Sequence, residues 1–176
     1  MLPGRLVLDT PTELVERQRI ADVLGSYCAR LDEYDIDAVA ALFTEDCVTD
    51  YGRSRMSGGG TVLRRDAFRA RIARSQSSWR RTHHQLGQML IELYSHEEAS
   101  ALTYALTYAI AWHERWDGRI DELRIRYVDR LLRTDDGWRI HQRRMEMSGC
   151  LGLEDFDWCW VERHEPDKRS VPTPGA

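Results

Sequence analysis

Arg80-Arg81-Thr82-His83-His84-Gln85-Leu86-Gly87-Gln88-Met89-Leu90-Ile91-Glu92-Leu93 marks the point at which the sequence changes period. Before it, apolar residues recur at three- and four-residue steps; from Thr82 onward they recur at every second position. The stretch reads as a β-strand carrying two adjacent histidines into the middle of a small domain. Side chains alternate between the two faces of a strand, so His83 and His84 point opposite ways. Diverging residues do not converge on one metal ion. One imidazole is left to act as acid or base inside whatever the sheet encloses.

Upstream the pattern is helical. Thr10-Pro11-Thr12-Glu13 offers a capping threonine, a proline at the first helical position and a glutamate at the third. Leu14, Ile20, Val23, Leu24, Tyr27, Cys28 and Leu31 then form one apolar stripe, and Asp32 follows where the helix ends. A second short helix is predicted over Ile36 to Phe43, capped by Asp35. Cys47 to Tyr51 is a short strand, Arg53 to Gly60 a flexible loop closing on three glycines, and Arg64 to Trp79 a third helix whose arginines form a solvated face.

Downstream come strands. Ala99 to Trp116 alternates small residues, among them Ala101, Thr103, Ala105 and Thr107, with large ones. One face is therefore bulky and packed, and the other lines a confined space. Asp117-Gly118 turns the chain, Ile120 to Thr134 is the next strand, and Asp135-Asp136-Gly137 turns it into Trp138 to Gly149. Helices followed by long antiparallel strands give an α+β fold: a curved sheet wrapped as a cone around three N-terminal helices and enclosing an apolar pocket. Phe156, Trp158 and Trp160 form an aromatic knot before a polar, Pro-rich end expected to fray.

Composition narrows the function. A 176-residue chain is one domain, and a net charge of −4 gives no support to nucleic-acid binding. Lys168 is the only lysine and sits in the polar tail, against a Schiff-base enzyme. Cys28, Cys47, Cys150 and Cys159 match no zinc or redox spacing and are expected as free thiols. No signal peptide or membrane span is apparent, which sets a cytoplasmic expectation with no membrane partner.

Tyr27-Cys28-Ala29-Arg30-Leu31-Asp32 and Asp35 to Asp46 resemble the opening of SnoaL-like proteins of the nuclear transport factor 2-like superfamily. Thr82-His83-His84-Gln85-Leu86-Gly87 resembles the strand carrying that family's histidine. Tyr127 to Leu131 and Asp136 to Arg143 resemble its last two strands. The resemblance implies a domain over residues 1–150 and a C-terminal extension over 151–176 that covers the pocket. Within the family the chain is most similar to the scytalone dehydratase and bile-acid 7α-dehydratase subgroup. It departs from that pattern in having no asparagine, and in placing Thr103, Ala105 and Thr107 where a second histidine would fall.

The resemblance implies a cofactor-independent dehydratase or isomerase acting on a small apolar carbonyl compound such as a polyketide, steroid or aromatic. His84 is the catalytic base by the family's Thr-x-His spacing, and Asp32 orients it. Tyr27 and Tyr51 are the candidate donors to the carbonyl. Arg143 and Thr103 are the substrate-binding candidates. Alternation sends only one of Arg143 and Arg144 inward, to pair with Asp32 or to hold an anionic group. The expected assembly is a homodimer or homotrimer formed through the outer sheet face. The alternative is a non-catalytic ligand-binding module or a β-type subunit of a ring-hydroxylating dioxygenase.

Overall fold

The computed structural model describes residues 10–54, 58–111, 121–151, 156–157 and 161. In chain order the elements are α1 (Thr10–Asp32), α2 (Ile36–Ala41), β1 (Phe43–Ser54), β2 (Gly58–Leu63), α3 (Arg65–Gln76), β3 (Trp79–Leu93), β4 (Glu98–Ala111), β5 (Asp121–Thr134), β6 (Gly137–Leu151) and the two-residue β7 (Phe156–Asp157). The strands form one sheet in the order β2-β1-β6-β5-β4-β3, with β7 added to β1. Among the described residues only the β1–β6 pairing is parallel. This is the expected α+β cone.

The sheet's inner face is a set of ranks running strand to strand. His84, Thr107, Leu123 and Cys150 make one; Leu86, Ala105, Ile125 and Met147 the next. Then come Met89, Thr103, Tyr127 and Met145, and after them Ile91, Ala101, Asp129, Arg143 and Thr49. Leu93, Ala99, Leu131, Ile140 and Phe43 form the last rank. Register shifts between Leu86 and Met89 on β3, and at His141 and Ser148 on β6, bend the strands into the cone. Ile20, Leu24, Tyr27, Cys28 and Leu31 of α1 fill the space they enclose. Truncating one of these to Ala would cost about 2–5 kcal/mol. Small residues on β4's inner face let that strand approach the core closely, as the alternation predicts.

Several boundaries differ from expectation for local reasons. Leu14 lies at the exposed side of α1, outside the buried stripe. Phe43 belongs to β1, because α2 stops at Ala41; Asp35 does cap it, accepting from the Ala38 N–H at 3.2 Å. Gly58 to Gly60 are not a loop but the start of β2, paired with β1. Arg71 departs from the solvated face of α3: it is buried and donates to the carbonyls of Gly60 and Gly52 at 2.6 and 2.7 Å, pinning that hairpin. The bulky face of β4 points outward: Tyr104 is exposed, while Leu102, Leu106, Tyr108 and Ile110 are half-buried. In the C-terminal extension, β7 pairs with Arg53 and Ser54, and the Val161 N–H donates to the Met147 carbonyl at 2.9 Å. The Asp117-Gly118 turn, Trp112, Trp116, Trp158 and Trp160 lie outside the described residues.

Candidate active site

Asp32 is the last residue of α1, where the chain must leave the helix. Tyr34 takes a positive φ of 58°, and the N–H groups of Tyr34 and Asp35 return to the carbonyls of Leu31 and Arg30. That two-bond closure fixes the direction of the last turn. A carboxylate at the negative end of a helix is mildly unfavourable, and here three donors from β3 offset it. The Thr82 hydroxyl donates to Oδ1 at 2.7 Å, the His84 backbone N–H to Oδ2 at 2.9 Å, and His84 Nδ1 lies 2.6 Å from Oδ1. Burial pushes the Asp32 carboxyl up, but these bonds outweigh it and hold its pKa below the ordinary value.

The carboxylate therefore sets the imidazole's tautomer. Nδ1 carries the hydrogen donated to Asp32, and Nε2 is left to take a proton. The His84 side chain is only 5% exposed. His83, on the opposite face, is exposed and stacks on Tyr108 with ring centroids 6.5 Å apart. The structure thus separates the two histidines as alternation requires, with His84 inward.

A second polar cluster lies deeper. Arg143 is buried and Arg144 exposed. Arg143 does not pair with Asp32; its partner is Asp129, directly across in the β5–β6 register. Nε and Nη2 each donate to one carboxylate oxygen at 2.7 Å. Burial pushes the Asp129 carboxyl up against the pull of Arg143, whereas the carboxylate raises the guanidinium well above its ordinary value. Two charge-assisted bonds keep the pair ionised. The guanidinium carbon sits 4.2 Å from the Tyr27 ring centroid and 4.3 Å from that of Tyr127.

Tyr27 and Tyr51 come together through their hydroxyls, 3.0 Å apart. Desolvation raises both far above the ordinary phenol value, so both remain neutral, one hydroxyl donating to the other. Thr103 stands in the neighbouring rank beside Tyr127. The candidates therefore fall into two groups along α1: Asp32 with His84 and Thr82, and Tyr27 with Tyr51, Arg143 and Asp129. Asp129, Tyr127, Thr82 and Thr107 are members that sequence reasoning missed. Asp129 was legible, since an aspartate in an inward-facing strand position needs a buried cation. Among the described residues no group of three or more His, Cys, Asp or Glu is placed to share a metal ion, and no helix is long and apolar enough to cross a membrane.

The SnoaL-like domain model matches residues 12–144. No curated protein matches the chain by sequence. Among solved structures, a protein from Novosphingobium aromaticivorans provisionally called a scytalone dehydratase superposes with a TM-score of 0.80 at 24% identity, over 89% of this chain and 100% of that one. A hexachlorocyclohexane dehydrochlorinase, LinA-type3 from Novosphingobium barchaimii, superposes with a TM-score of 0.67 at 14% identity, over 90% of this chain and 100% of that one. A provisional aromatic ring hydroxylase from N. aromaticivorans gives 0.68 at 24% identity, over 78% of this chain and 93% of that one. At such identities the likeness is one of fold. With the family model spanning the helices, the histidine strand and most of the sheet, the chain belongs to the SnoaL-like family.

Proposed function

We propose that the protein is a cofactor-independent lyase acting on a small, largely apolar carbonyl compound, with His84 as its base. The observation that carries the reading is the Asp32–His84 contact: a carboxylate bonded to Nδ1 at 2.6 Å, on a histidine turned into the cone. Nε2 removes the proton from the carbon next to the carbonyl, and Asp32 stabilises the imidazolium that forms. The imidazolium returns that proton to the hydroxyl leaving the neighbouring carbon, so the products are an unsaturated carbonyl compound and water. Of the mutually bonded Tyr27 and Tyr51, both neutral, the hydroxyl that accepts from the other keeps its own proton to donate to an oxygen that gains charge. The dehydratase and dehydrochlorinase names carried by the structural neighbours are compatible with elimination chemistry on this fold.

The test uses the purified chain alone, offered a panel of β-hydroxy ketones with aromatic, polyketide-like and steroid skeletons. Mass spectrometry should show loss of water from at least one class, and His84→Ala should slow that loss by about 10²–10⁴-fold. Loss of water at an undiminished rate in His84→Ala contradicts the reading. Binding without turnover across the panel would support a ligand-binding module instead.

A further inference from the structure

Three donors grip the Asp32 carboxylate, and all of them come from Thr82 and His84 on one strand. Oδ1 accepts the Thr82 hydroxyl at 2.7 Å and the His84 Nδ1–H at 2.6 Å, while Oδ2 accepts the His84 main-chain N–H at 2.9 Å. Thr82 and His84 stand two apart on β3, so their side chains leave the same face. β3 is an edge of the sheet, and the outward N–H of His84 meets the carboxylate where a further strand would otherwise pair. Among the described residues no arginine pairs with Asp32; Arg30, two residues earlier on α1, pairs with Glu33 at 2.8 Å. The registered neighbour of Thr82 on β4 is the buried Ala109, which has no polar side-chain atom to compete for the hydroxyl.

The three bonds are not equivalent. Two come from His84 itself, so a carboxylate held by those alone would follow the base in every movement. The third comes from a separate residue. Threonine is β-branched and stiff at χ1, so the strand backbone fixes where the Thr82 hydroxyl points. The hydroxyl therefore ties Oδ1, the oxygen that receives Nδ1–H, to a point on the sheet that does not depend on the imidazole. Hydrogen bonds to an ionised group are among the stronger kinds. Burial works to raise the Asp32 pKa; the bonds from His84, and after them the one from Thr82, bring it below the ordinary value. The hydroxyl thus also helps to keep the carboxylate ionised.

We propose that Thr82 is a positioning residue for the base: its hydroxyl holds the Asp32 oxygen that orients His84, and so keeps Nε2 aimed into the cone. It touches no substrate and transfers no proton. The effect on rate rests on the reading of His84 as a base, whereas the hold on the imidazole is a property of the free protein. A threonine that only tied the end of α1 to β3 would affect the reaction through the fold, whether or not residue 32 carried a charge. A positioning threonine acts through the carboxylate and matters only while the carboxylate is there.

The experiment compares Thr82→Val, which removes the hydroxyl, with Thr82→Ser, which keeps it; Thr82→Ala takes the place of the valine variant if that one does not fold. Proton NMR of the ligand-free protein reads the hold on the imidazole directly. The His84 Nδ1–H resonance, assigned by its absence from His84→Ala, should be visible in wild type and Thr82→Ser and broadened away by exchange with water in Thr82→Val. With a compound that wild type turns over, Thr82→Val should lower kcat by about 10–100-fold, as expected for one hydrogen bond to a charged group, and leave KM nearly unchanged. Thr82→Ser should recover most of that loss. In an Asp32→Asn background, Thr82→Val should lower the rate no further. A resonance missing from wild type or as sharp in Thr82→Val, a serine variant as slow as the valine one, or a rise in KM at unchanged kcat would each overturn the proposal. So would an undiminished effect of Thr82→Val in the Asp32→Asn background. If wild type turns over no compound of the panel, the lyase reading falls, and the NMR comparison alone decides whether Thr82 holds the imidazole.

Discussion

At the scale of single residues, the pairing of Asp32 with His84 makes two separable predictions. Catalytically, Asp32→Asn should slow elimination by about 10–10³-fold with substrate affinity nearly unchanged, and adding it to His84→Ala should slow the reaction little further, since the two act as a unit. His83→Ala should leave the rate intact, because that ring stacks on Tyr108 outside the cone. The second concerns acid. The folded-state pKa of Asp32 is depressed, so its contribution to stability is complete above the unfolded value, about 3.9, and is lost as pH falls through the folded value. Urea unfolding of wild type and Asp32→Asn should therefore differ by an amount that shrinks as pH falls below about 4. A difference that widened as pH fell below about 4 would contradict the hydrogen-bonding shown for this carboxylate.

At the scale of elements, the cone is held at depth by a charge pair between β5 and β6. Asp129→Ala leaves Arg143 buried and uncompensated and should destabilise the protein by about 3–5 kcal/mol, read from the denaturation midpoint. Asp129→Leu combined with Arg143→Met should recover much of that loss, because two apolar side chains leave no charge unpaired. Which of these features the sequence exposes follows from how local their causes are. The stripe of α1 from Ile20 to Leu31, the Asp35 cap and the small face of β4 are periodic or adjacent patterns, and they are present as read. The position of His84 followed from alternation together with the family spacing. Asp129 as Arg143's partner depends on the register between two strands, and an extra residue on β6, His141, opposite Arg130 and Leu131 shifts that register. The same limit applies on β3, where Leu86 and then Met89, Ile91 and Leu93 all face inward although the parity changes. The shift between Leu86 and Met89 supplies the extra residue. Gly58 to Gly60 carry every sign of a loop; their pairing with β1 is a long-range contact that composition does not reveal.

At the scale of the whole molecule, the outer sheet face is where the described residues expose large apolar side chains across neighbouring strands. Leu90 is 61% exposed, Tyr104 and Val128 each 40%, and Leu90, Leu102 and Val128 are successive registered neighbours across three strands. A groove of about 390 Å³ runs along the same face past Gln85, Gly87, Tyr104, Leu106 and Arg124, with the sheet between it and His84. We propose that this face joins copies of the chain as a homodimer or homotrimer, which leaves the cone's interior clear. Light scattering at micromolar concentration should give a multiple of the 20.5 kDa chain, and Leu90→Glu with Val128→Glu should reduce it to a monomer. A wild-type monomer under those conditions would contradict the assembly and leave the site chemistry untouched.

The central claim is that His84, held by Asp32, takes a proton from carbon. Its most direct test is hydrogen exchange in heavy water with a compound that the panel shows to be turned over. Wild type should incorporate solvent deuterium at the carbon next to the carbonyl, in recovered substrate or in product formed by reversal. Under the same conditions His84→Ala should show only the rate of the uncatalysed control. Deuterium uptake by His84→Ala at the wild-type rate, with its fold intact by circular dichroism, would contradict the account.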